Sequence, residues 1–171
     1  IFLPTMEAMK KGGRPFKGCL YFGLILTERG PKVIEYNCRF GDPETQVVLP
    51  LLKTDLFTIM RAVRDERLGE VDIQWSTGAA ACVVLASGGY PKKYETGLPI
   101  EGLDENGGHP GVIVYHAGTK KQDGRFLTAG GRVLGVTGLG ETLPQALEKA
   151  YGAVREITFK NAHYRTDIGK K

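Results

Sequence analysis

The spacing of apolar positions divides the chain into helical and strand-like stretches. A helical pattern over 4–11 stops at Gly12-Gly13, as a C-terminal glycine cap would make it. Residues 17–27 are apolar at odd and even positions alike, which predicts a central strand buried on both faces. Glu28-Arg29-Gly30 reads as a turn, and 31–37 returns as the second strand of a hairpin. Gly23, inside the first strand, leaves room for something to approach the sheet closely. Asp42-Pro43-Glu44 predicts a helix start, with Asp42 as N-cap and Pro43 at the first helical position; Pro50 breaks that run. Thr54-Asp55 caps a longer helix in which Leu56, Ile59, Met60 and Val63 form the apolar stripe. Arg61, Arg64, Asp65 and Glu66 form its solvated side, and Gly69 ends it.

Residues 70–78 are polar and unpatterned, which predicts a boundary that separates residues 1–72 from residues 73–171. Beyond it the texture changes to short strands and glycine turns. Strands are expected over 80–86, 112–116, 125–128 and 132–137, with Lys120 to Gly124 as a hairpin turn and 94–109 mostly loop. Thr142-x-x-Gln145 is a capping-box signature opening a helix whose inward face carries Ala146, Leu147, Ala150, Val154 and Ile157. The tail from Lys160 is basic, and its end is expected to be mobile. Helices and hairpins in this order make an α+β chain.

Composition narrows the class. The 171 residues are 42% hydrophobic and 25% charged, ordinary for a globular protein. The net charge of +4 is mild and scattered, which argues against a nucleic-acid partner. No apolar run approaches the roughly 20 residues that span a bilayer, and the N-terminus lacks a signal peptide. Cys19, Cys38 and Cys82 are odd in number with no C-x-x-C pair, so neither a disulfide scaffold nor structural zinc is expected, and a cytoplasmic location fits. Cys19 and Cys82 read as core residues and Cys38 as structural, since no His stands near it in sequence. The chain opens on Ile1 and not Met, so a start upstream is expected.

The chemistry concentrates in 32–46. On a strand, Glu35 and Asn37 point the same way, and a carboxylate beside an amide oxygen suits a hard divalent cation. Two protein ligands are what magnesium takes when phosphates and waters complete its shell. Arg39 can clamp a phosphoryl group, and Asp42 and Glu44 can hold an amine or a second metal. Taken alone, Glu35 and Asn37 read first as polar residues on the outer face of a half-buried strand. Two features shift that reading: Asn is disfavoured inside strands, and the pair runs straight into Arg39 and Asp42-Pro43-Glu44. His116-Ala117-Gly118-Thr119 and Gly130-Gly131-Arg132 are phosphate-cradle candidates, although such spacings are also common hairpin punctuation. His109 and His163 read as surface or capping residues, and Asp104, Glu105 and Asn106 as a solvated loop.

The run Val-Ile-Glu-Tyr-Asn-Cys-Arg-Phe-Gly-Asp-Pro-Glu-Thr-Gln (33–46) resembles the signature of the phosphoribosylamine–glycine ligases, ATP-grasp enzymes of purine biosynthesis. The stretches 18–24, 85–91, 116–119 and 130–133 also look like that family, in the right order. The resemblance implies the back half of an ATP-grasp domain, an antiparallel sheet with helices, followed by a small mixed α/β C-terminal domain. It implies ATP, glycine and 5-phosphoribosylamine as substrates, joined through a glycyl phosphate. Glu35 and Asn37 would hold Mg2+ or Mn2+ on the ATP phosphates, and Arg39 would neutralise the transferring phosphoryl group. Asp42, Pro43 and Glu44, with His116, Gly118, Thr119, Gly130, Gly131 and Arg132, would contact substrate. Family members are more than twice this length, so the N-terminal half of the enzyme is the expected partner and the piece alone is expected not to turn over. Another ATP-grasp carboxylate–amine ligase and a non-catalytic docking module are the alternatives.

Overall fold

The structure, a computed structural model, describes residues 1–170 and divides into two compact units. The first comprises Ile1–Thr45 and Leu52–Trp75, the second Gln46–Leu51 and Ser76–Lys171.

In the first unit, helix α1 (Phe2–Lys11) precedes a hairpin of β1 (Tyr21–Thr27) and β2 (Gly30–Asn37). The pairing is antiparallel, with Tyr21 opposite Asn37, Phe22 opposite Tyr36 and Gly23 opposite Glu35; a bulge at Ile34 then shifts the register. The expectation of a central strand buried on both faces is wrong. Among the described residues β1 pairs only with β2, and Ile25 and Leu26 are exposed, the latter at 85%. Two strands cannot cover their own apolar faces, and continuous hydrophobicity does not say what does. α1 covers part of one face, where Phe2 meets Phe22 edge-on at 4.6 Å and Phe22 meets Tyr36 at 5.2 Å.

The predicted helix start at Asp42 is also displaced. The Asp42–Pro43 peptide is cis, 42–44 form a turn, and the short helix α2 (Thr45–Val48) begins where Thr45 donates its N–H to the Gly41 carbonyl at 3.0 Å. Helix α3 (Leu56–Arg64) has the expected N-cap, with Asp55 accepting from the Thr58 N–H at 2.8 Å. It ends at Asp65 and not at Gly69, because Glu66 takes a left-handed conformation (φ 57°). Its stripe of Leu56, Ile59, Met60 and Val63 lines a groove with Cys19 and Phe40.

In the second unit β3 (Ala79–Ala86), β4 (Ile113–His116) and β7 (Arg132–Gly140) form an antiparallel sheet in the order β3-β7-β4. The pair β5 (Thr119–Gln122) and β6 (Arg125–Thr128) turns at Asp123-Gly124, both at positive φ. One face of the sheet packs against α4 (Leu143–Glu156): Val83, Leu85, Leu134 and Val136 are fully buried with Ala150, Val154 and Ile157. On the other face Thr137 Oγ1 donates to the Gln46 carbonyl at 3.0 Å, which ties 46–51 to this unit. The capping box forms as predicted, Thr142 and Gln145 each bonding the other's backbone.

Ahead of its end, the basic tail from Lys160 is tied to the second unit. Ala86 and His163 exchange backbone bonds of 2.8 and 2.9 Å, Phe159 is buried, and the Tyr151 hydroxyl donates to the Arg165 carbonyl and accepts from the Ile168 N–H. Paired backbone, not charge, decides its order. Lys171, the extreme end, lies outside the described residues.

Close packing of α4 on β7 depends on Gly138. A Cβ there would meet the Ala146 carbonyl and lie 2.8 Å from the Ala150 nitrogen, backbone that cannot swing aside. Gly138→Ala is therefore expected to destabilise the second unit by about 1–3 kcal/mol in urea unfolding. Gly152→Ala, on open helix surface, should leave the midpoint unchanged or raise it.

Candidate functional site

The hairpin register places Tyr21, Glu35 and Asn37 on one face, because directly paired residues of an antiparallel ladder share a side. Asn37 Nδ2 donates to Glu35 Oε1 at 3.0 Å, so the carboxylate and the amide are in contact. The absence of a side chain at Gly23 is used by Glu35 itself: a Cβ on Gly23 would lie 3.0 Å from Glu35 Cγ. The space inferred from sequence thus accommodates the stem of the candidate ligand. Among the described residues no three His, Cys, Asp or Glu side chains assemble as a metal cage. A cation here would draw on the Glu35–Asn37 pair and on oxygens brought by a ligand.

Arg39 follows on the exposed turn, where its Nη1 donates to the Phe40 carbonyl at 2.7 Å. One arm of the guanidinium is thereby anchored and the rest of the fork is presented to solvent. Glu44 is half-buried and accepts a hydrogen bond from the Tyr21 hydroxyl at 3.0 Å. Pro43 is half-buried beside it, and Asp42 is exposed on the same turn. Cys38 is exposed, lining a groove with Tyr36, Phe16 and Leu20. It sits one residue past the end of β2, whereas Cys19 and Cys82, expected in the core, are only partly buried.

Tyr21 is the residue that sequence reasoning missed. Partial desolvation, the hydrogen bond to Glu44 and the negative charges of Glu44 and Glu35 push its hydroxyl above the ordinary tyrosine value. The phenol thus sits within electrostatic reach of both carboxylates. Regular pairing through a turn at Glu28-Arg29 would set Tyr21 across from Tyr36; the bulge at Ile34 shifts it to Asn37, and no sequence signal marked that bulge.

In the second unit the stretches 85–91, 116–119 and 130–133 converge at one end of the sheet. β3 and β4 end there and β7 begins there. Ser87, buried, donates its hydroxyl to the Gly130 carbonyl at 2.8 Å and its N–H to the Gly131 carbonyl at 2.8 Å. Gly118 donates to the Arg132 carbonyl at 2.8 Å, and the Tyr90 ring lies where a side chain on Gly131 would be. His116 uses both ring nitrogens, Nδ1 with Thr119 Oγ1 at 2.8 Å and Nε2 with the Gly107 carbonyl at 2.9 Å. A carbonyl only accepts, so Nε2 donates there, and in the neutral ring Nδ1 then accepts from the Thr119 hydroxyl. Arg132 is exposed at the start of β7. The loop taken as merely solvated is ordered by Asp104, whose carboxylate accepts from the Asn106 and Gly108 N–H groups, both at 2.8 Å.

Comparison with known proteins bears on this arrangement. The family profile described as Phosphoribosylglycinamide synthetase, C domain, matches residues 80–171, more than half of the chain. The profile for the ATP-grasp (A) domain of the same synthetase matches 1–45. This chain belongs to the phosphoribosylglycinamide synthetase family. The phosphoribosylamine–glycine ligase of Caldanaerobacter subterraneus subsp. tengcongensis is 47% identical over 98% of the chain and 40% of the relative. That of Rhodopirellula baltica is 49% identical over 100% and 39%. The trifunctional purine biosynthetic protein adenosine-3 of Gallus gallus is 51% identical over 99% of the chain and 17% of its own length. The crystal structure of phosphoribosylamine–glycine ligase from Thermotoga maritima superposes with a TM-score of 0.77 and 36% identity over 95% of this chain and 40% of that one. The chain thus spans about two fifths of its single-function relatives. Its α+β architecture is that of the family, an ATP-grasp portion followed by the synthetase C domain, and no helix among the described residues is long and apolar enough to cross a membrane.

Hydrogen bonds from Gly108 and Asn106 hold the Asp104 carboxyl below the ordinary carboxylate range. A depressed folded-state value stabilises the loop above the unfolded value and is lost as pH falls through the folded one. An NMR titration is expected to show Asp104 ionising below an unstructured aspartate. Asp104→Ala should speed hydrogen exchange at the Asn106 and Gly108 amides at neutral pH.

Proposed function

We propose that this segment supplies the cation-and-phosphate strand and the C-terminal domain of an ADP-forming ligase joining glycine to 5-phosphoribosylamine. The observation that carries the reading is the Glu35–Asn37 contact on β2, leading directly into the anchored guanidinium of Arg39. The donor set fits Mg2+ or Mn2+. Both side chains offer hard oxygens, and the bond between them occupies Glu35 Oε1 and the amide nitrogen, leaving Glu35 Oε2 and Asn37 Oδ1 for a cation. When bound, the cation supplies charge neutralisation at the phosphate oxygens of ATP.

In the proposed reaction the glycine carboxylate takes the γ-phosphoryl group, giving ADP and glycyl phosphate. The phosphoribosylamine nitrogen then attacks the acyl carbon, the C–O bond to phosphate breaks, and glycinamide ribonucleotide, phosphate and a proton are released. Arg39 holds the phosphoryl oxygens by bidentate donation as charge builds on them. Asp42 and Glu44 on the adjacent turn are assigned to the ammonium or amine of a substrate, with Pro43 shaping that turn. Within residues 73–171, Gly118, Gly130, Gly131 and Arg132 are assigned to a substrate phosphate. His116 acts on that surface by holding Thr119 and the Gly107 loop in place.

The test compares the segment with the complete polypeptide that contains it. Alone, the 171 residues are expected to show no steady glycine-dependent ADP release. In the complete polypeptide, release should require both glycine and phosphoribosylamine, and Arg39→Ala should lower kcat by about 10²–10³-fold, the scale for one preorganised charge-stabilising donor. A panel of amino acids in place of glycine checks the acceptor: release driven by another amino acid but not by glycine reassigns the substrate.

A further inference from the structure

Three carboxylate- or amide-bearing side chains of the first unit lie around one phenol. Glu35 and Asn37 are in contact with each other, and Asn37 is the cross-strand partner of Tyr21. Glu44 belongs to the following turn, yet its Oε1 is held by the Tyr21 hydroxyl at 3.0 Å, while its other oxygen lies where a side chain on Gly41 would be. Both oxygens of Glu44 are therefore placed: one by a hydrogen bond, the other against a glycine that is buried and has no side chain to displace it.

We propose that Tyr21 is a positioning residue that parks Glu44 away from the Glu35–Asn37 pair and thereby keeps the cation site at two protein ligands. The inference rests on the cation reading of that pair. Its physical content lies in charge count. A Glu–Asn pair carries one negative charge and holds a bare divalent ion only weakly, so firm retention needs phosphate oxygens attached as well. A second carboxylate would double the charge and add a ligand, making a trap for the free ion that would fill without nucleotide. The shared electrostatic field supports the geometry, because the phenol feels both Glu44 and Glu35. A hydroxyl suits this task, since it binds the carboxylate without neutralising it and leaves Glu44 charged for an ammonium or amine.

The probe is Mn2+ alone, without nucleotide, followed on the 171-residue chain by its EPR signal and by paramagnetic broadening of the Asn37 side-chain amide. Tyr21→Phe keeps the ring and removes only the hydroxyl. The variant is expected to bind Mn2+ about 10-fold more tightly than the wild type, as Glu44 swings in as a third ligand. Tyr21→Phe/Glu44→Gln should return to wild-type affinity. Loss of a purely structural contact would weaken binding or leave it unchanged, so the direction of the shift is decisive. Broadening at Asn37 in the wild type with no tightening in Tyr21→Phe, or tightening that persists in the double variant, overturns the inference and leaves the cation pair standing. No broadening at Asn37 in any of the three proteins, or broadening untouched by Glu35→Gln, overturns the cation reading and the inference together. Circular dichroism of the variants confirms that they remain folded.

Discussion

The register of the β1–β2 hairpin decides which side chains can act together. With Tyr21 across from Asn37 and Gly23 across from Glu35, the carboxylate, the amide and the phenol share one face, and the missing side chain at Gly23 makes room for the Glu35 stem. A slip of one residue would send Glu35 and Asn37 to the face where Phe22 and Tyr36 meet, and would bury their charge and dipoles against aromatic rings. The bulge at Ile34 lies just before Glu35 and marks the change of register there. A strand is a suitable carrier for such a pair, because its alternation is rigid and two residues suffice to bring two ligands together.

The second unit solves a different problem. Its sheet has β7 at the centre, and glycine at 138 lets the helix backbone approach the strand closely enough for Val83, Leu85, Leu134 and Val136 to be sealed against Ala150 and Val154. The same antiparallel order brings the ends of β3 and β4 to the start of β7. Three glycine-rich stretches far apart in sequence consequently meet, and Ser87 stitches two of them together through Gly130 and Gly131. Many of the polar groups of these loops are spent on one another. They form a rigid rim, in which His116 serves as a strut between Thr119 and the Gly107 loop.

Where reading from the sequence went astray, the cause was burial supplied from elsewhere in space. The run 17–27 looks like a central strand because both of its faces are apolar, yet within the described residues it pairs on one edge only and leaves Ile25 and Leu26 exposed. Asp42-Pro43-Glu44 carries helix-start residues, but the backbone turns there and the helix waits for the Gly41 carbonyl to reach Thr45. The basic composition of the tail does not announce that His163 pairs with the edge of β3 or that Tyr151 receives the segment beyond it.

Local chemistry determined a good deal by itself. The capping box at Thr142 and Gln145, the N-cap at Asp55, the hairpin through Glu28-Arg29 and the same-side placement of Glu35 and Asn37 depend on residues within a few positions of one another. The family resemblance was legible for a similar reason, since its strongest signature is one continuous run of the chain. Tertiary structure alone decided the rest. Tyr21 reaches Glu44 across 23 positions, and Ser87 reaches Gly130 across 43. Such bonds are selected by which strands lie side by side, a choice that the whole packed unit makes and that no local window of sequence contains.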